Sequence, residues 1–169
     1  MRKARNGRIA GMFGFGKKRF VIASPMDGLV VSILKVNDPV FSGDVLGSGI
    51  AVKPESGFVS APCKATISQM FETGHAVSLL TDGGVELLIH VGIDTVKLKG
   101  RHFRIRKNSG ESVNTGDILV EFDVAGISAE GFDATTPIVV CNPGDFSEIS
   151  FAGEGRIKAG EPLITVKSR

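Results

Sequence analysis

Thr115-Gly116-Asp117-Ile118-Leu119 sets a small residue and a Gly-acid turn directly before an aliphatic run. The chain repeats the device in Ser42-Gly43-Asp44-Val45-Leu46 and Ala159-Gly160-Glu161-Pro162-Leu163. A second device occurs as a pair. Ser24-Pro25-Met26-Asp27-Gly28-Leu29-Val30 and Ala61-Pro62-Cys63-Lys64-Ala65-Thr66-Ile67 both fix the entry with proline and continue as an aliphatic strand. Gly is abundant at 22 residues, Val and Ile are frequent, and no long stretch spaces its apolar residues as a helix would. The chain therefore reads as all-β. Repeats this short do not make a solenoid. They suit an antiparallel β-sandwich with Greek-key connections, built from internally repeated hairpin units. Segments 126–134 and 142–150 lack alternation and are expected to hold short helical turns.

Between the first and second turn devices lies Gly84-Val85-Glu86-Leu87-Leu88-Ile89-His90-Val91-Gly92-Ile93-Asp94-Thr95-Val96. Alternate strand side chains share a face, so Val85, Leu87, Ile89 and Val91 point into a core while Leu88 and His90 point the other way together. An imidazole is thus placed beside apolar surface. When neutral it keeps one nitrogen lone pair free as a nucleophile, and a backbone carbonyl can hold the other nitrogen. Gly92 is positioned to supply that carbonyl.

At 169 residues and 17.8 kDa the chain fits one domain. No apolar run approaches the roughly 18 residues of a membrane span, and no secretion signal is apparent, so a cytoplasmic protein is expected. Cys63 and Cys141 both fall in apolar, strand-like stretches, which suits buried, reduced thiols. The net charge of +2 conceals a split. Residues 1–19 hold seven of the 20 Lys and Arg and none of the 18 acids, so the body is mildly acidic. These 19 residues read as a basic flexible tail or linker, and residues 20–169 as the domain proper. Four glycines in the tail disfavour a helix by about 1 kcal/mol each. Its cations, with Met12, Phe13 and Phe15, would also suit weak contact with an anionic membrane.

Gly84–Val96 resembles the active-site signature of the glucose-type enzyme IIA of the phosphoenolpyruvate-dependent sugar phosphotransferase system. It carries the glycine, three consecutive aliphatics, His, Gly and Thr at the family's offsets. The resemblance covers about residues 20–168 and implies the same kind of β-sandwich. It implies that His90 accepts a phosphoryl group from the histidine-containing phosphocarrier protein and passes it to a cysteine of a sugar-specific enzyme IIB domain. His75 matches the family's second active-site histidine, a donor to the group in flight, and the Thr73 hydroxyl can fix its ring tautomer. Val40, Phe41, Val45, Leu46, Phe71, Leu88 and Val96 match a shallow apolar depression around the histidines that docks donor and acceptor. Asp38 and Asp94 match acidic rim positions suited to an arginine of the phosphocarrier. Ser78 departs from the pattern where some relatives have an aromatic, which implies a smaller or wetter depression.

An alternative from another class is a regulatory module, in which the same face docks on metabolic enzymes or permeases and phosphorylation switches docking off. A zinc hydrolase on a related sandwich would need a third ligand near a His-x-His pair, and the chain has no such pair. His75 and His90 alone would half fill a tetrahedral site, so neither metal nor cofactor is expected. Gly11–Lys18 nearly spells a phosphate-binding loop but lacks its Ser or Thr. His102, among Arg101, Arg104, Arg106 and Lys107, reads as a solvated strand face and loop, and nucleic-acid binding is not expected.

Overall fold

A computed structural model describes residues 16–169. Its strands, in chain order, begin with β1 (Arg19–Ala23), β2 (Gly28–Val31), β3 (Ser48–Pro54), β4 (Phe58–Ser60), β5 (Ala65–Met70), β6 (Ala76–Thr81) and β7 (Glu86–His90). They continue with β8 (Phe103–Ile105), β9 (Ser112–Val113), β10 (Ile118–Phe122), β11 (Thr136–Val140), β12 (Phe146–Phe151), β13 (Gly155–Ile157) and β14 (Pro162–Ser168). Two short helices, α1 (Pro39–Ser42) and α2 (Val124–Ala129), interrupt them. One eight-stranded sheet runs β13-β2-β3-β11-β7-β6-β5-β9, and two three-stranded sheets run β1-β14-β12 and β4-β10-β8. Neighbouring strands pair antiparallel. The late strand β11 inserts between β3 and β7, a long return of the Greek-key kind. The chain is an all-β sandwich, as its patterning predicts.

One core joins the three sheets. Ile22 and Ile164 reach it from the first small sheet, Val59 and Val120 from the second, and Val52, Ile67, Leu79, Leu87, Ile89 and Ile138 from the large sheet. The two sequence devices dock on each other to build it. The Ala61 N–H donates to the Asp117 carbonyl (2.8 Å) and the Gly116 N–H to the Ala61 carbonyl (2.9 Å). Their counterparts repeat the exchange, from the Ser24 N–H to the Glu161 carbonyl (2.7 Å) and from the Gly160 N–H to the Ser24 carbonyl (3.0 Å). The proline entries also cross-bond, from the Ala23 N–H to the Pro62 carbonyl (3.0 Å) and from the Ser60 N–H to the Pro25 carbonyl (2.8 Å). Equivalent residues thus satisfy each other about an internal two-fold relation. Gly116 and Gly160 both sit at φ +92°, where an L side chain would be strained.

The third copy of the turn device departs from its siblings. Val45 and Leu46 lie in the turn after α1, and the strand begins only at Ser48. Here Gly43, the counterpart of Gly116 and Gly160, stays at φ −95°, and the left-handed conformation falls one residue later, on Asp44 at φ +55°. Two further expectations need correction. Segment 142–150 does hold a short helical turn, the 3-10 turn Pro143–Asp145, but it is strand from Phe146 onward. The cysteines are free but not buried: Cys63 is half-buried in the turn before β5, and Cys141 is exposed just past β11. The other predicted helical segment is α2, displaced slightly towards the N-terminus. Residues 1–15 of the basic tail lie outside the described residues. At its end, Lys18 exchanges bonds with Ser168 (2.9 and 2.8 Å), and Arg19 opens β1 opposite Lys167.

On the outward face of the large sheet lies a second, smaller core. Ile33, Val36 and Phe41 cover Ala51, Leu88 and Val139 of the sheet, together with Ile93. Asp38 starts α1 by accepting the Val40 N–H (2.9 Å), with Pro39 in the first turn. This cap fixes where Phe41 comes down.

Candidate active site

Strand β7 alternates as its sequence requires: Leu87 and Ile89 are buried in the main core, while Leu88 and His90 face outward and are half-buried. His90 pairs with Ala76 of β6, and the Val91 N–H donates to the His75 carbonyl (2.7 Å). That register sets the two imidazoles side by side, with centroids 5.0 Å apart and planes at 81°. Phe71 meets His75 edge-on at 5.5 Å, and Phe41 meets His90 at 5.1 Å. The result is a row, Phe71-His75-His90-Phe41, in which two phenyl rings close the flanks of two imidazoles. Gly74, at φ +71°, turns the chain between Phe71 and His75, and a side chain there would crowd Phe103 and Ile105.

The hydrogen bonds assign the tautomers. His90 Nδ1 lies 2.8 Å from the Gly92 carbonyl oxygen, which can only accept. Nδ1 therefore carries the proton, and the Nε2 lone pair is free. His75 Nδ1 is bonded to the Thr73 hydroxyl. When that hydroxyl donates, Nδ1 accepts and the proton stays on Nε2. Burial disfavours a charged ring, and it lowers the His75 pKa to about 4, with the neighbouring His90 adding to the effect. Burial also lowers the His90 pKa, opposed by the Gly92 hydrogen bond and by the fields of Asp38 and Asp94. Both rings are therefore neutral at neutral pH, one with a free Nε2 lone pair and the other with an Nε2–H.

The remaining predicted residues differ in exposure and in what they touch. Val40, Val45, Leu46 and Val96 are exposed, Val45 most of all at 71%. Phe71 and Leu88 are half-buried. Phe41 is only 5% exposed, so it belongs to the second core and closes over His90 instead of forming an open rim. His75, which on its own reads as a solvated strand end, is likewise 5% exposed. Asp38 serves both as the cap of α1 and as a source of negative field at His90. Asp94 stands at φ +58° beside Lys97, 3.7 Å away. Ser78 lies opposite Leu88 and lines a shallow depression with Leu80, Glu86 and Cys141. The basic run is spent on surface pairs, Arg101 with Glu130 (2.7 Å) and Arg106 with Glu121. Sequence reading missed Asp133, whose carbonyl accepts the Ile93 N–H (2.9 Å) beside the histidine loop. Only the sheet topology brings it there.

Residues 20–146 match the family model of the phosphoenolpyruvate-dependent sugar phosphotransferase system, EIIA 1. The chain is 40% identical over 150 residues to the glucose-specific EIIA component of Buchnera aphidicola, covering 89% of this chain and 92% of that protein. It is 44% identical over 140 residues to the beta-glucoside-specific EIIBCA component of Dickeya chrysanthemi, covering 83% of this chain but 22% of that protein. The chain thus spans about a quarter of the length of the beta-glucoside relatives it matches. The solved structure of glucose permease IIA from Mycoplasma capricolum superposes with a TM-score of 0.82 at 32% identity, covering 88% of this chain and 96% of that one. A sandwich of the same shape, matched over nearly the whole of both chains, with the family model matching residues 20–146, places this chain in the EIIA 1 family of the phosphoenolpyruvate-dependent sugar phosphotransferase system.

Proposed function

We propose that His90 Nε2 is the phosphoryl acceptor. The observation that carries this reading is the Nδ1 bond to the Gly92 carbonyl, which leaves Nε2 as the only ring lone pair, on a ring whose centroid lies 5.0 Å from that of His75. In the first transfer the lone pair attacks the phosphorus of a phosphohistidine on the histidine-containing phosphocarrier protein. The donor N–P bond breaks, and its electron pair returns to the donor nitrogen. The His90 Nδ1 proton stays on the ring, bonded to Gly92, so positive charge develops against a carbonyl dipole. In the second transfer a cysteine thiolate of an enzyme IIB domain attacks the same phosphorus, and the His90 N–P electrons return to Nε2. Phosphoryl transfer asks a protein mainly for positioning and for donors around spread charge. His75 Nε2–H supplies a donor, and Thr73 fixes its tautomer. The exposed rim of Val40, Val45, Leu46 and Val96, with Asp38 and Asp94, offers both partners an apolar docking surface with acidic edges.

A transfer chain fed by phosphoenolpyruvate suits a domain that works on the cytoplasmic side. Among the described residues no helix is long and apolar enough to cross a membrane. The test is incubation with phosphoenolpyruvate and the general phosphotransferase proteins, read by intact mass. One acid-labile phosphoryl adduct is expected on the wild type and none on His90→Ala. An adduct retained by His90→Ala would place the nucleophile elsewhere. Phosphorylation of His90 would also add charge to the face that carries it, so that face suits regulatory partners that bind only the unphosphorylated form.

A further inference from the structure

The geometry points to Asp133 and Thr135 as positioning residues for phosphoryl transfer, acting on His90 through the Gly92–Ile93 peptide. This inference rests on the reading of His90 as the acceptor. Gly92 C=O and Ile93 N–H belong to one peptide plane and point in opposite directions. The carbonyl end accepts from His90 Nδ1 (2.8 Å), and the N–H end donates to the Asp133 carbonyl (2.9 Å). Three groups therefore stand in one hydrogen-bonded line: imidazole, peptide, carbonyl. Each bond in such a line polarises the next.

The far end of the line is itself fixed. Asp133 Oδ1 accepts both the Thr135 N–H (2.9 Å) and the Thr135 hydroxyl (2.7 Å), closing a turn around the Asp133–Ala134 peptide whose carbonyl faces Ile93. Thr135 is 4% exposed, and the next residue, Thr136, begins β11, which pairs with β7. The turn is thus anchored to the sheet that carries His90. Space enforces the same arrangement from within. A Cβ on Gly92 would lie 2.8 Å from the Asp133 carbonyl oxygen and 2.4 Å from the methyl of Thr95, so the loop has no slack on the Asp133 side. The buried Thr95 hydroxyl also donates to the Val91 carbonyl, holding the loop from below. The Asp133 side chain is part of an exposed residue, and its Oδ1 is engaged by Thr135. Its influence runs through the peptide and not through direct charge.

The test uses the intact chain and two readouts. Nitrogen-15 NMR of the unphosphorylated protein reports the His90 tautomer, and rapid-quench phosphorylation by the donor reports rate. Asp133→Ala is expected to shift His90 from the pure Nδ1–H tautomer towards a mixture and to slow acceptance by about tenfold, the order seen when groups that orient a functional histidine are removed. Asp133→Asn should restore both, because its side-chain oxygen can accept the same two bonds. Thr135→Val, close to isosteric at a buried site, should shift both in the same direction and serves if Asp133→Ala does not fold. A wild-type tautomer in Asp133→Ala and Thr135→Val would overturn the inference, whatever happens to the rate. So would Asp133→Asn being as impaired as Asp133→Ala. The NMR arm needs no phosphoryl transfer, so a failure of His90 as acceptor would be seen separately, as an unphosphorylated wild type.

Discussion

Acidification should destabilise this domain through His75 well before most carboxylates protonate. In the unfolded chain a histidine titrates near 6.5, whereas burial holds folded His75 at about 4. As pH falls below 6.5 the unfolded state takes up a proton that the folded state refuses, so stability is lost between 6.5 and 4 and the loss is complete below 4. At pH 5 the unfolded imidazole is almost fully protonated and the folded one about a tenth so, which puts the loss from this residue at about 2 kcal/mol. Above 6.5 both states hold the ring neutral and the contribution vanishes. Denaturant unfolding of the wild type and His75→Gln at pH 7 and pH 5 isolates the effect, because other titrating groups are shared. The wild type should lose about 2 kcal/mol more than the variant over that interval. Equal losses would refute the reasoning, as would an NMR titration of His75 with a midpoint near 6.5.

His75→Ala should keep some phosphoryl acceptance but slow transfer by about 10²- to 10³-fold, the usual cost of removing one preorganised donor, as measured by quench-flow against the wild type. Val40→Asp should weaken docking to donor and acceptor with little change in melting, whereas Phe41→Asp should melt far lower, because Val40 is exposed and Phe41 is 5% exposed. Calorimetry beside transfer rates separates the two. Gly92→Ala should destabilise by about 2 kcal/mol, since it adds left-handed strain at φ +78° to an overlap with Thr95, and its His90 tautomer should be mixed by NMR. A chain beginning at Lys17 should melt like the full chain, because the Lys18–Ser168 bonds are kept. One beginning at Val21 should melt lower, because it loses the Arg19 and Phe20 pairs and the Phe20 ring against Gly83.

Where chemistry is local, the sequence was readable. The alternation of residues 85–91 required His90 to face away from the core, and Gly92, two residues on, supplies the carbonyl that fixes its tautomer. Thr73 and His75 are as close in sequence as in space. The turn devices at 115–119 and 159–163 became strands because each glycine could take the positive φ. The third copy, at 42–46, failed for a tertiary reason. Asp38 and Pro39 start a helix just before it, and the turn is used to bring Phe41 down on the second core. No periodicity within five residues could show that. The cysteines illustrate the converse, since apolar neighbours in sequence do not decide burial once a strand ends, and Cys141 follows the last residue of β11.

Asp133 was unreadable for a deeper reason, and the reason bears on how the site works. The histidines sit on a hairpin, β6–β7, whose two strands fix their separation. Proton placement is a different matter. It depends on the β7 end loop, and that loop is held by a turn entering β11, the strand that arrives late and inserts against β7. Separation thus comes from a local pairing and protonation from a non-local one. A carrier that must accept and release the same group between two proteins needs both fixed before either partner arrives, because phosphoryl transfer gains chiefly from preorganisation. Burying the two imidazoles against Phe41 and Phe71 keeps them neutral. The Gly92 bond leaves Nε2 of one ring unprotonated, and a Thr73 hydroxyl donating to the other leaves its proton on Nε2. The apolar row therefore sets the charge state on which the distinct roles proposed for the two histidines depend.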